Sequence, residues 1–196
     1  TDSHTGLPLV DKSYEELSKL ELIPFQAAVD NGVDMLMTAH IQYPQIEKDT
    51  VKSIADGSEV YVPATLSDDI IKGVVREKMN FDGVVVTDAM NMDAIAKNFG
   101  EAQAVIMAIQ ADVDICLMPT ILRSKADVAK LDTIISEVKN AINEGTITED
   151  DLNDSVRRIL TLKENRGILD YADDTRTWEQ KLANANEQVG SKENRD

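Results

Sequence analysis

Three short apolar runs constrain this chain more than anything else in it: VDMLMTAH (33–40), GVVVTD (83–88) and DVDICLMP (112–119). Each is short for a core helix and lacks the alternation of a strand with one wet face, so each reads as a strand buried on both sides. Stretches of helical periodicity lie between and after them. Buried strands interleaved with helices give an α/β fold, a parallel sheet covered by helices. The runs end on His40, on Asp88, and on Pro119 after Met118. Aspartate is a poor strand former and costly to bury unpaired. A β-branched run that delivers one to its C-terminal end puts it where β/α barrels and doubly wound sheets both place their chemistry. Periodicity alone does not choose between those architectures. Three strands are too few for an eight-stranded barrel of roughly 250 residues, so the sheet is either open or incomplete.

The helical stretches carry their own punctuation. Ser13 and Glu16 fit an S-x-x-E capping box and open a helix expected to run to about Asn31, where Gly32 stops it. Ser67 is the expected N-cap of LSDDIIKGVVREKM, whose paired aspartates suit the positive end of the helix dipole. MDAIAKNFGEAQAVIMAIQAD reads as two helical pieces broken at Gly100. Val128, Leu131, Ile134, Ile135, Val138 and Ile142 form one apolar stripe within 124–145. Gly145 ends that helix, and Thr148 with Asp151 caps the next, through RRILTLKENRG. Residues 1–12 read as a loop, and residues 41–66, punctuated by Pro44, Gly57 and Pro63, as irregular. Residues 1–169 are expected to form the folded domain. Residues 170–196 read as a polar, weakly ordered tail or a linker toward a further domain.

Composition removes several function classes. The 36 acidic residues outnumber 20 basic ones for a net charge of −16, a surface that repels nucleic acid and anionic membranes. No run of about 18 apolar residues exists to span a bilayer. Cys116 is the one cysteine, so no internal disulfide or thiolate zinc site is available, and it reads as a small core hydrophobe. The two histidines, His4 and His40, fall in no metal-ligand spacing, and the glycines form no phosphate loop, so neither metal nor cofactor is expected. The compartment is left open.

Three groups remain as candidates for chemistry. Asp88 is either a turn aspartate leading into the next helix or a catalytic carboxylate at a strand end. Its neighbours Asp82, in an Asp-Gly turn, and Asp93, in a first helical turn, read as structural. In the tripeptide Asp2-Ser3-His4 the aspartate can hydrogen-bond the ring, fix its tautomer and raise its basicity, the arrangement a proton shuttle needs. His40 sits at the end of an apolar strand, where a histidine is more often a satisfied structural residue than a ligand.

Taken in order, TDSHTGLPLV, DMLMTAHIQYP, PATLSDDII and FDGVVVTDAMNMDAI resemble glycoside hydrolase family 3, in its β-N-acetylhexosaminidase branch. RILTLKENRGILD is similar to the family's closing helix, so the resemblance spans nearly the whole chain. It implies a fold, the C-terminal part of a (β/α)8 TIM-type barrel in which VDMLMTAH, GVVVTD and DVDICLMP are the sixth, seventh and eighth strands. It also implies roles: Asp88 as catalytic nucleophile, His4 as general acid/base, Asp2 as its dyad partner, and His40 and Met118 at the substrate-facing rim. The implied activity is retaining exo-hydrolysis that releases terminal N-acetylglucosamine from cell-wall or chitin-derived oligosaccharides. A neutral imidazole repels an anionic acceptor less than a carboxylate would, so phosphate in place of water is a secondary expectation.

Family members carry earlier barrel strands and a lysine-histidine segment ahead of the DSH loop, and this sequence starts after both. It is therefore expected to be a fragment, inactive or nearly so alone, and prone to self-association through its exposed sheet edge. The alternatives are a β-glucosidase of the same family, a non-catalytic sugar-binding or interaction module, and an open α/β domain with Asp88 as phosphoacceptor or magnesium ligand. The last needs an acidic cluster at neighbouring strand ends, which His40 and Met118 do not supply.

Overall fold

The structure, a computed structural model, describes residues 6–169 and 176–188. The chain divides into two units, residues 1–162 and 163–196. Among the described residues the strands are β1 (Met35–Met37), β2 (Thr50–Lys52), β3 (Glu59–Tyr61) and β4 (Val84–Val86). The helices are α1 (Tyr14–Leu17), α2 (Ile23–Asp30), α3 (Asp68–Ile70), α4 (Asp93–Ala96), α5 (Glu101–Gln110), α6 (Val128–Asn143), α7 (Glu149–Asn165) and α8 (Trp178–Gln188). Helix α3 runs on as a π-helical segment, Ile71–Lys78.

The three apolar runs do lie side by side as parallel chain. β1 pairs with β4 in the register Met35↔Val84, Leu36↔Val85, Met37↔Val86. The third run joins on the far side of β4 through one parallel bridge, Val86↔Ile115, with Ile115 N donating to Val85 O at 3.1 Å and Thr87 N to Ile115 O at 3.0 Å. β4 is the central strand, and all three of its valines are buried, each stabilising the fold by about 1.5–3 kcal/mol. β1 is less covered than its sequence suggests: Met35 and Met37 are 38% and 54% exposed. They share the face of Val84 and Val86, whereas Leu36 and Val85 share the opposite face and pack into the main core with Ile71, Ile95 and Ala104.

Helices dock where their small and branched residues allow. Ala104 and Ala108 of α5 are fully buried, letting that helix approach the core closely, while Ile106, Ala141 and Ile147 form a second cluster joining α5, α6 and the turn before α7. The expected caps are present. Glu16 N donates to Ser13 Oγ and Ser13 N to Glu16, Ile70 N donates to Ser67 Oγ, and Thr148 and Asp151 exchange side-chain and backbone bonds. Gly100, at φ +77, separates α4 from α5. Gly83 is required by close approach: a Cβ there would lie 2.7 Å from Asp34 O and 2.5 Å from the Phe81 ring.

Three expectations are corrected. The helix drawn over 13–31 is two helices, because Pro24 has no N–H to donate and its ring clashes with the carbonyl four residues back. The chain turns at 18–22 and restarts with Pro24 in the first turn of α2. The stretch 41–66 is not wholly irregular: β2 and β3 form an antiparallel hairpin around Asp56-Gly57, with Gly57 at φ +75. The tail contains α8, opened by a box in which Gln180 N donates to Thr177 Oγ1 and Thr177 N to Gln180 Oε1. T-W-E-Q is itself the S/T-x-x-E/Q signature.

Candidate active site

Alternation along β4 sets up the site. Val84 and Val86 point away from the helix-packed face, and Asp88, two residues further on, continues their series. It is half-buried, whereas Thr87, on the Val85 series, is fully buried. Asp88 Oδ1 accepts from Ala89 N at 2.7 Å. Its other oxygen accepts no hydrogen bond among the described residues.

The backbone around this carboxylate is tied down from both sides. On the β1 side Asp88 N donates to Thr38 O at 3.2 Å. On the other, Leu117 N donates to Thr87 Oγ1 at 2.8 Å and Met90 N to Leu117 O at 2.9 Å. Met118 follows directly, at φ +47 and 52% exposed. A positive φ is uncommon for a side-chain-bearing residue, and here it turns the chain out of the sheet beside Asp88's loop.

His40 does not lie on the rim that the resemblance implied. It is fully buried, because it falls on the Leu36–Thr38 series, which faces the core. Its Nε2 lies 3.1 Å from Ala89 O, and a carbonyl can only accept, so the proton sits on Nε2. Nδ1 then accepts from Thr65 Oγ1 at 2.9 Å, and Thr65 in turn accepts from Thr38 Oγ1 at 3.2 Å. Burial holds the ring below its ordinary pKa of 6.5, against the smaller opposing pull of the Ala89 carbonyl and the Asp88 charge. The unfolded chain therefore binds a proton that the folded chain resists, and stability rises with pH up to about 6.5. The expected result is that the wild-type advantage over His40→Gln in urea unfolding shrinks as pH falls from about 7 to about 5. An advantage independent of pH across that window would contradict the assignment.

Asp2 and His4 lie outside the described residues. Cys116 packs against the main core, and burial pushes its thiol up to about 12, away from any nucleophilic role. No cluster of three or more metal-ligating side chains occurs among the described residues.

Sequence reasoning missed a buried charge network beneath the site. Asp114, with a wholly buried side chain, accepts from Val85 N at 2.7 Å, from Arg76 Nη2 at 2.9 Å and from Arg158 Nη1 at 2.5 Å. Asp112 takes the remaining arms of the same arginines, at 2.8 Å each. Arg76 also donates to the Phe81 and Gly83 carbonyls at 3.0 and 2.6 Å. The legible signal was the D-V-D spacing, which at strand period puts both carboxylates on one face.

Residues 1–162 match the family model described as the glycosyl hydrolase family 3 N terminal domain. The chain is 35% identical over 83% of its length to β-hexosaminidase A of Pseudoalteromonas piscicida, covering 27% of that protein. It is 27% identical over 85% of its length to a β-N-acetylglucosaminidase/β-glucosidase of Cellulomonas fimi, covering 28% of it. The structure of a family 3 β-N-acetylglucosaminidase from a Paenibacillus strain superposes with a TM-score of 0.72 at 32% identity, over 93% of this chain and 33% of that one. The chain thus spans about a quarter to a third of the length of these relatives. With its parallel β/α architecture and its strand-end aspartate, this chain belongs to glycosyl hydrolase family 3.

Proposed function

We infer that this chain carries the nucleophile half of a retaining exo-β-N-acetylglucosaminidase. In this reading residues 1–169 form the C-terminal part of a β/α barrel, and turnover requires the barrel's earlier strands. The observation that carries it is Asp88: a strand-end carboxylate with one oxygen held by Ala89 N, the other unengaged among the described residues, and its backbone pinned on both sides. The relatives named β-hexosaminidase and β-N-acetylglucosaminidase support the sugar class.

The reaction balances in two displacements. An Asp88 oxygen attacks the anomeric carbon of a terminal N-acetylglucosamine as the glycosidic C–O bond breaks, and the leaving oxygen takes the proton of the His4 imidazolium. The now neutral His4, oriented by Asp2, removes a proton from water. That water attacks the same carbon and the glycosyl ester to Asp88 breaks, restoring the carboxylate and the imidazolium. Most retaining glycosidases use a second carboxyl group about 5–5.5 Å away for the proton transfers. A histidine suits the task because its reference pKa near 6.5 lies close to neutral pH. Met118, exposed beside the loop, is the rim residue proposed to meet the substrate.

The test traps the covalent intermediate. The chain completed with upstream barrel strands is incubated with a 5-fluoro-N-acetylglucosaminyl fluoride, and the labelled peptide is mapped by mass spectrometry. The expected label is on Asp88. A folded protein that takes no label there, yet binds N-acetylglucosamine, would favour the non-catalytic sugar-binding module.

A further inference from the structure

We propose that His40 is a positioning residue for the Asp88 nucleophile: its Nε2–H holds the Ala89 carbonyl and so fixes the Asp88–Ala89 turn, with the Thr38–Thr65 hydroxyl relay imposing the required tautomer. The inference deepens the reading of Asp88 as nucleophile and rests on it.

Backbone bonds hold both flanks of the turn, and His40 adds the long-range side-chain bond to it. Asp88 Oδ1 is bonded to the N–H of Ala89, so the orientation of the carboxylate follows the orientation of that residue's backbone. The Ala89 carbonyl accepts from two donors, the local Met92 N at 3.1 Å and, across 49 residues of sequence, His40 Nε2 at 3.1 Å. Without His40 that carbonyl keeps only the local bond from Met92 N, made inside the same turn, so the Ala89 peptide could tilt with that turn and carry the carboxylate with it. Displacing a reacting group by about 1 Å is enough to cost roughly a hundredfold in rate.

The relay explains why the ring is arranged as it is. Nδ1 must accept if Nε2 is to donate, and the Thr65 hydroxyl supplies the hydrogen. Thr65 is fully buried and is itself filled by Thr38 Oγ1, so its proton is directed at the ring. Thr38 acts twice, since its carbonyl also accepts from Asp88 N. One strand end of β1 thus holds Asp88 through the backbone of Thr38 and Ala89 through the side chain of His40. No sugar contact is needed from His40, whose two nitrogens are both engaged.

Two measurements test this. Long-range ¹H–¹⁵N NMR of the 196-residue chain should show one histidine as the neutral Nε2–H tautomer with Nδ1 accepting a hydrogen bond, and Thr65→Val should shift that signature. Kinetics are then read in the completed enzyme. His40→Leu is expected to lower kcat about a hundredfold with KM within about threefold, and His40→Gln, whose amide places a donor near the same point, to recover most of the loss. If His40→Leu does not fold, Thr65→Val is read alone, with an expected loss of about tenfold in kcat. Wild-type kcat in His40→Leu, a loss confined to KM, or no rescue by glutamine would overturn the proposal, as would an unchanged kcat for Thr65→Val in the unfolded case. If wild-type enzyme forms no covalent adduct at Asp88, the nucleophile reading itself fails and this one falls with it. A labelled wild type with an indifferent His40 sinks only the positioning role.

Discussion

Replacing Asp88 by alanine is expected to abolish turnover of aryl β-N-acetylglucosaminides by the completed enzyme, with kcat falling on the order of 10⁴-fold or more. The fold is expected to survive. The Asp88 side chain is half-buried and its described hydrogen bond is to the adjacent Ala89 N, so its loss leaves no buried partner stranded. Urea unfolding should therefore shift by less than about 1 kcal/mol. Adding azide should restore part of the rate, since a small external nucleophile can enter the space the carboxylate vacates. A variant that kept wild-type turnover would remove Asp88 from the reaction. A chain that merely binds sugar would retain affinity and show no activity to lose.

The largest effect on stability is expected from Asp114→Ala. Asp114 neutralises one arm each of Arg76 and Arg158 and accepts from Val85 N, with its own side chain wholly buried. Removing it leaves two arginines, 12% and 20% exposed, sharing Asp112 alone, and strands a backbone donor of the central strand. A buried ion pair adds little net stability when whole, because desolvation offsets the attraction, but breaking it from one side costs about 3–5 kcal/mol. Asp114→Asn should cost less, because its carbonyl oxygen can still accept from Val85 N. Chemical denaturation followed by circular dichroism reads both. A change below about 0.5 kcal/mol for the alanine variant would mean that the network is decorative.

Much of the fold was legible because local chemistry and tertiary packing agree. β-Branched residues at 84–86 favour extended chain and end up in the most buried strand. Ser13, Ser67 and Thr148 can satisfy orphan helix donors from their own side chains, so their role needs no distant partner. Where the reading failed, the signal was present and a stronger local rule was overlooked. Pro24 divides the first helix, Asp56-Gly57 closes a hairpin, and Thr177 with Gln180 opens a helix in a stretch whose charge suggested a loose tail. The candidate site was legible through Asp88, whose type conflicts with its strand. The dyad of Asp2 and His4 rests on resemblance.

What the sequence determined by itself follows from periods and caps, which act within a few residues: three parallel runs of chain, two of them strands and the third joined by a single bridge, their helices, and a carboxylate delivered to a strand end. Tertiary structure decided which face each strand end presents. Asp88 and His40 both follow apolar runs, yet the pairing Leu36↔Val85 puts His40 on the core face and Asp88 on the opposite one. His40 finds its partners 25 and 49 residues away, at Thr65 and Ala89, Asp88 N finds Thr38 O on the neighbouring strand end, and the Asp114 network reaches across 44 residues to Arg158. Such contacts depend on strand register, which is fixed only when the sheet pairs and its buried face closes against the helices.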